Sequence, residues 1–225
     1  DHTMDDKTFS LILGDTLRAE NRAPEIELPQ FAVDGIVPKA VAFATSSEDV
    51  CALMTLVDTE GLTVIPRGGG TTMPMGNPPT SADIVLSTNR MNRLLAHDVD
   101  DLTATVEAGI TIDAFNTALA EQGQGSLVDA PRAESATVGG VLASNVSGPR
   151  RLGFGSPRDR LIGVRVVDAA GVLIRAGGKV VKNVAGYDLG KLFIGSLGTL
   201  GIIVEATFKL SPLPKQRATV VGGFK

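Results

Sequence analysis

A chain of 225 residues, 43% hydrophobic and 20% charged, with a net charge of −4, holds enough apolar material for one large domain or two lobes sharing a core and is far from the composition of disorder. So mild an acidity gives no electrostatic reason to bind nucleic acid or anionic lipid. One cysteine, Cys51, and two histidines, His2 and His97, exclude an internal disulfide and offer no zinc or iron–sulfur ligand cluster.

Taken in chain order, Phe9, Ile12, Leu13 and Leu17 recur at helical spacing and predict an N-terminal amphipathic helix ending before Pro24. Pro29 and Pro38 then punctuate an irregular lead-in over 25–40, before a strand from Ala40 to Ala44. The next helix is well marked: Ser46 or Ser47 as cap, Asp49 in the first turn, Val50, Leu53, Met54 and Val57 on one face, and Gly61 as terminator. Strands follow from Leu62 to Pro66 and from Asp83 to Ser87, making a small βαββ-like lobe. A second lobe opens near Leu102 with a strand from Thr103 to Glu107 and a helix through Ile112, Phe115 and Leu119, ended by Gly123. Ile162 to Asp168 and Val172 to Ala176 flank a turn and predict a hairpin, and Ile202 to Leu210 alternates as a strand until Pro212 stops it. The tail from Thr219 to Phe224 has strand character without a later partner.

No apolar run approaches the ~20 residues of a membrane-spanning helix. Asp1 to Lys7 lacks the basic-then-apolar pattern of a secretory signal. The expected setting is therefore reducing and cytoplasmic.

Three glycine-rich segments carry the functional signal: Arg67-Gly68-Gly69-Gly70-Thr71-Thr72, Ala136-Thr137-Val138-Gly139-Gly140 and Gly198-Thr199-Leu200-Gly201-Ile202-Ile203. Backbone amides of such loops can close around phosphate oxygens. Several in one chain suggest one long anionic cofactor held at several points. The first is neither a P-loop nor a dinucleotide fingerprint, because Thr71-Thr72 replaces Lys-Ser/Thr and Met73 takes the third glycine position. It reads either as an anion nest without a lysine or as a flexible turn. Ser135 to Gly140 reads as a helix start whose amides and dipole favour an anion. Ala143 to Gly148 offers short polar side chains that suit either cofactor contacts or caps and turns. Arg150, Arg151, Arg158 and Arg160 read either as attracting phosphates or an acidic substrate or as solvated surface.

The order of Thr137-Val138-Gly139-Gly140, Gly148-Pro149-Arg150 with Gly155 and Arg158-Asp159, the run from Gly177 to Leu189, and Gly198 to Ile203 resembles FAD-linked oxidases of the vanillyl-alcohol-oxidase (PCMH) type. Within that group it is most similar to FAD-binding subunits of bacterial glycolate oxidase. The resemblance covers about residues 36–214. It implies an α+β, two-lobed FAD-binding domain at 36–214, with a small lobe at about 36–98, a larger, mainly antiparallel lobe at 99–214, and FAD between them. Residues 1–35 would be a helix and lead-in, and 215–225 the start of a missing or truncated cap region.

By position, the resemblance assigns Arg67, Gly68, Gly69, Gly70, Thr71, Thr72 and Gly76 to the FAD pyrophosphate. Pro131, Ser135, Ala136, Thr137, Gly139 and Gly140 go to the flavin and its chain, Ala143, Ser144, Gly148 and Gly153 to the continuation of that site, and Ile202 or Ile203 to a backbone contact. Two positions depart from the family pattern. Leu197 stands where many relatives have glutamate, and the first loop has no histidine, which implies non-covalent FAD. Val substituted at Gly69 or Gly140 is expected to abolish FAD binding and leave folding largely intact.

The implied activity is oxidation of a 2-hydroxy acid such as glycolate by the complete enzyme, with electrons passed to a partner. The implied assembly holds a sister flavin subunit and an iron–sulfur subunit, so membrane association through a complex is the alternative location. Turnover by this chain alone is expected to be weak or absent. No catalytic base can be named. Lys179, Lys182, Asn183, Tyr187 and Asp188 could orient a substrate carboxylate, but a structural role is favoured, with Asp188 capping a helix that holds Leu189, Leu192 and Phe193. The competing class is a non-catalytic FAD-binding subunit used for assembly or electron relay.

Overall fold

The computed structural model describes residues 9, 13, 14, 16, 18–178, 190–216 and 218–223. Two sheets organise it. The first is parallel and built from β1 (Ala40–Phe43), β2 (Val64–Arg67) and β3 (Ile84–Ser87) in the order β1-β3-β2. Helix α1 (Ser47–Glu60) makes the crossover from β1 to β2. Of the two candidate caps, Ser46 is the one used: its Oγ accepts the Asp49 amide at 3.1 Å, while Asp49 Oδ2 accepts the amide and hydroxyl of Thr45. Gly61 ends the helix at φ 63°, and Val50, Leu53, Met54 and Val57 are its buried face, as the apolar spacing requires.

The second sheet is antiparallel, in the order β4 (Leu94–Asp98), β5 (Thr103–Glu107), β9 (Ile202–Lys209), β7 (Leu161–Val167), β8 (Leu173–Gly177). Strand β4 was not foreseen, because it is a bulged edge strand without clean alternation. The β7–β8 hairpin forms as expected. Its turn is closed by Asp168 Oδ1, which accepts the amides of Ala170 and Val172. Gly171 at the turn lies so close to α1 that a Cβ there would sit 2.2 Å from Thr55 Oγ1.

Helices α2 (Ile112–Ala120), α3 (Val138–Ser144), α4 (Arg151–Phe154), α5 (Pro157–Arg160) and α6 (Gly190–Phe193) and the short strands β6 (Gln124–Gly125) and β10 (Ser211–Pro212) complete the α-helices and strands among the described residues, beside two 3-10 helices at Ala19–Asn21 and Glu25–Phe31. Pro212 does not end strand pairing: the chain changes partner, and β10 pairs with β6. The irregular lead-in is corrected too, since Glu25–Phe31 is a 3-10 helix that accommodates Pro29. Residues 219–223 form no strand, and Val220 and Val221 are almost fully exposed.

One core lies between the antiparallel sheet, α2 and α3, around Phe115, Leu119, Leu142, Ala206 and Phe208. The other joins both sheets, packing Val50, Leu53, Ile84 and Leu86 against Val167, Ile202 and Val204. Phe9 and Leu13, both helical, are buried in this second core. Ile12 and Leu17 lie outside the described residues, as do 179–189, so the assignments to Lys179, Lys182, Asn183, Tyr187, Asp188 and Leu189 fall there as well. Among the described residues no helix is long and apolar enough to cross a membrane, and no cluster of His, Cys, Asp and Glu could hold a metal ion.

Candidate cofactor site

Parallel strands of an open sheet direct the loops at their carboxyl ends into a common crevice. Here β2 ends at Arg67 and runs straight into Gly68-Gly69-Gly70-Thr71-Thr72. The loop packs against the turn that starts α3. A Cβ on Gly68 would stand 2.1 Å from Thr137 Oγ1, and one on Gly69 would stand 1.7 Å from the Ser135 carbonyl oxygen. These glycines are therefore required by close approach of two backbone segments. Thr137 Oγ1 accepts the Gly69 amide at 3.4 Å and the Gly140 amide at 3.3 Å, and the Arg132 guanidinium donates to the Thr71 carbonyl.

A cavity of about 570 Å³ opens under this loop. Of the residues singled out in the sequence, Arg67, Gly68, Gly69, Gly70, Thr71, Thr72, Gly76, Gly139, Gly140, Ala143, Ser144, Ile202 and Ile203 line it. A second hollow of about 430 Å³ adjoins Gly69 and takes Ser135 and Thr137, with Asn89, Asn92 and Thr111. Pro131, Ala136, Gly148 and Gly153 line neither. Pro131 opens an exposed turn, and the carbonyl of buried Ala136 accepts the Ile112 amide. The Gly148 amide is held by the Asp129 carbonyl at 2.6 Å, and Gly153 sits on α4 with open space at its Cβ position.

The start of α3 departs from expectation in one respect. A helix does begin there with Thr137 as its cap, but its first amides already have acceptors: Val138 donates to Ile110 O, Gly139 to Ala108 O, and Gly140 to Thr137 Oγ1. They are not available to an anion. In the first loop, by contrast, the amides of Gly68, Gly70 and Thr71 have no acceptor among the described residues. The donor set of the cavity thus belongs to the loop.

Arg67 supplies the charge. Its guanidinium is half-buried and forms no ion pair among the described residues. Burial draws its pKa below the ordinary arginine value, the sign of a cation partly stripped of water. The other arginines play different parts. Arg150 pairs with Asp129 at 2.9 Å, Arg160 donates to the Phe154 carbonyl, and neither they nor Arg151 and Arg158 line either cavity. His97 is on β4, bonded to Gln124 at 2.9 Å.

The wall holds further residues beyond those assigned to the cofactor from the sequence. Leu197 lines the cavity in a left-handed conformation at φ 55°, fixed by its amide donating to the Ala143 carbonyl, and its side chain reaches Gly76. Gly198, Thr199 and Gly201, from the third glycine-rich segment singled out in the sequence, line it as well. Val33, from the proline-rich lead-in, carried no signal.

Residues 38–177 match the family model described as FAD binding domain. The chain belongs to this family of FAD-binding domains. It is 40% identical over 186 residues to glycolate oxidase subunit GlcD of Bacillus subtilis strain 168, covering 82% of this chain and 39% of that protein. It is 38% identical over 177 residues to D-2-hydroxyglutarate dehydrogenase of Xanthomonas citri pv. viticola, covering 79% and 38%. The fold matches a solved alkyldihydroxyacetonephosphate synthase with a TM-score of 0.80 at 24% identity, covering 96% of this chain and 42% of that one. The chain therefore spans about two fifths of the length of these relatives. The FAD-binding family accounts for the α+β architecture and names the cofactor.

Proposed function

We propose that this chain is the FAD-holding part of an oxidoreductase that oxidises a 2-hydroxy acid such as glycolate, and that the diphosphate of FAD lies against Arg67 and the loop Gly68 to Thr72. The observation that carries the placement is the half-buried Arg67 cation beside loop amides, neither having a charge partner or acceptor among the described residues. A dianionic diphosphate complements that donor set, since a guanidinium and oriented amides make charge-assisted hydrogen bonds to phosphate oxygens. Apolar walls at Val64, Ile65, Leu197 and Ile202 suit the flat face of an adenine or flavin ring. Gly69 lines both hollows, so they lie on either side of the same loop. FAD is held non-covalently in this reading, as no histidine or cysteine lines either hollow among the described residues.

When bound, FAD supplies the acceptor for two electrons. The residues of this chain bind and orient it. Removing hydride from a 2-hydroxy acid also requires a base for the hydroxyl proton, and no Asp, Glu, His or Tyr lines either hollow among the described residues. In this account the proton acceptor lies outside the described lining of the two hollows, and turnover belongs to the complete enzyme. The names of the relatives support the substrate class, one a glycolate oxidase subunit and the other a D-2-hydroxyglutarate dehydrogenase. That one relative is a subunit of glycolate oxidase supports an assembly, in which a sister flavin subunit and an iron–sulfur partner would receive the electrons.

The test is anaerobic mixing of 2-hydroxy acids with the FAD-loaded chain and with the complete enzyme. The complete enzyme should lose its flavin absorbance with glycolate or D-2-hydroxyglutarate, and the chain alone should not. Bleaching of the isolated chain would overturn the division of labour, and no bleaching of the complete enzyme by any 2-hydroxy acid would overturn the substrate class.

A further inference from the structure

Three residues share one rung of the parallel sheet: Phe43 on β1 and Arg67 on β2 both register with Ser87 on β3 between them. Side chains at one rung point to the same face, and two inter-strand steps separate Phe43 from Arg67 by about 10 Å. Phe31, the last residue of the 3-10 helix Glu25–Phe31, spans that gap. Its ring lies 5.8 Å from the Phe43 ring, edge-on at 73°, and the Arg67 guanidinium carbon stands 4.9 Å from its centroid. Another contact of Arg67 is Gly70, where a Cβ would fall 2.7 Å from the guanidinium nitrogen Nη2. Beyond Phe43 the series continues, with Arg90 over its ring at 4.4 Å and bonded to the Glu20 carbonyl and Asn21 Oδ1.

We infer that Phe31 is a positioning residue for the cofactor: its ring fixes the Arg67 guanidinium against Gly70, aimed at the diphosphate, and Phe43 fixes the ring. This rests on the diphosphate placement proposed above. The physical case is that arginine loses much rotamer freedom when ordered and ring contact offsets that loss in advance. A cation over an aromatic face is attracted by the ring quadrupole, an attraction an aliphatic side chain of similar size does not supply. Ser87, small and buried, leaves the rung open for a ring carried in from outside the sheet. The 3-10 helix thereby acquires a reason to lie where it does.

The test combines a readout without FAD and one with it. In the wild-type chain the Arg67 side-chain N–H resonance should show an aromatic ring-current shift that disappears in Phe31→Leu and persists in Phe31→Tyr. In FAD titrations Phe31→Leu should weaken binding by roughly 3- to 10-fold, Phe31→Tyr should restore it, and Phe31→Leu should change affinity less than about twofold when Arg67→Met is already present. Equal losses with and without Arg67 would overturn the inference, because the effect of Phe31 would then be general packing. So would an unchanged affinity of a folded Phe31→Leu chain. A wild-type chain that shows the ring shift but binds no FAD would instead overturn the cofactor placement itself, and the role of Phe31 with it.

Discussion

The hydroxyl of Thr137 accepts the Gly69 amide at 3.4 Å across 68 residues of sequence, so the cap of α3 and the glycine loop after β2 are held by one oxygen. The same oxygen accepts the Gly140 amide at 3.3 Å. Thr137 is 2% exposed, so water cannot easily replace it. Thr137→Val keeps the shape and leaves both amides without their acceptor. It should cost about 1–2 kcal/mol and weaken FAD binding, while Thr137→Ser keeps both properties near wild type. Chemical denaturation and FAD titration of the pair check this.

Gly69 and Gly140 line the same cavity but differ as test positions. A Cβ at Gly69 meets the Ser135 carbonyl oxygen at 1.7 Å, so Gly69→Val strains the fold, contrary to the expectation that folding would be spared. Even Gly69→Ala should lower stability by about 1–3 kcal/mol. At Gly140 a Cβ meets only Thr137 Oγ1, at 3.2 Å. Thr137 must then shift by a few tenths of an ångström, a cost that the better helix propensity of alanine offsets, so Gly140→Ala should change the melting temperature far less than Gly69→Ala and still reduce FAD affinity. Thermal melts run beside titrations separate the two cases.

Much of this was legible in the sequence where local rules act alone. Ser46 or Ser47 as cap, the Val50, Leu53, Met54 and Val57 stripe and Gly61 bounded α1 to within a residue, and the strand into three glycines placed the loop. The amides of α3 were misjudged because their acceptors, Ile110 O and Ala108 O, come from a segment whose approach is a tertiary matter. Phe31 was invisible for a similar reason: its neighbours, Phe43 and Arg67, are brought to it by strand register. Leu197 stood out in the sequence only as a departure from the family pattern; its place in the wall was not legible, because a left-handed leucine is chosen by its surroundings, against its own preference.

Asp83 gives a pH prediction. It accepts the Thr63 amide and hydroxyl at 2.8 and 2.7 Å and pairs with Lys39 at 2.8 Å, tying the starts of β2 and β3 together. Burial pushes its carboxyl up, but the hydrogen bonds from Lys39 and Thr63, with the Lys39 charge, outweigh that and hold it below the ordinary aspartate value. A depressed folded pKa means that the stabilisation is fully present above the unfolded value of about 3.9 and is lost as pH falls through the lower folded value. Asp83→Asn should cost about 1–2 kcal/mol near neutral pH. The gap from wild type should close below about pH 4, which denaturation at a series of pH values would show.

Arg67 should not tolerate lysine. Lysine keeps the charge but loses the planar fork and the ring contact with Phe31. Arg67→Lys is expected to weaken FAD binding by roughly 5- to 20-fold, with a melting temperature close to wild type. The same titration at rising salt should show a shallower salt dependence for Arg67→Ala than for wild type.

The most direct test of the central claim is a titration of the purified chain with FAD, followed by quenching of flavin fluorescence, beside the Arg67→Ala variant. The account predicts saturable one-to-one binding by the wild type and a loss of at least about tenfold in the variant. A folded wild-type chain that does not bind FAD, or binding that is indifferent to Arg67, would contradict it.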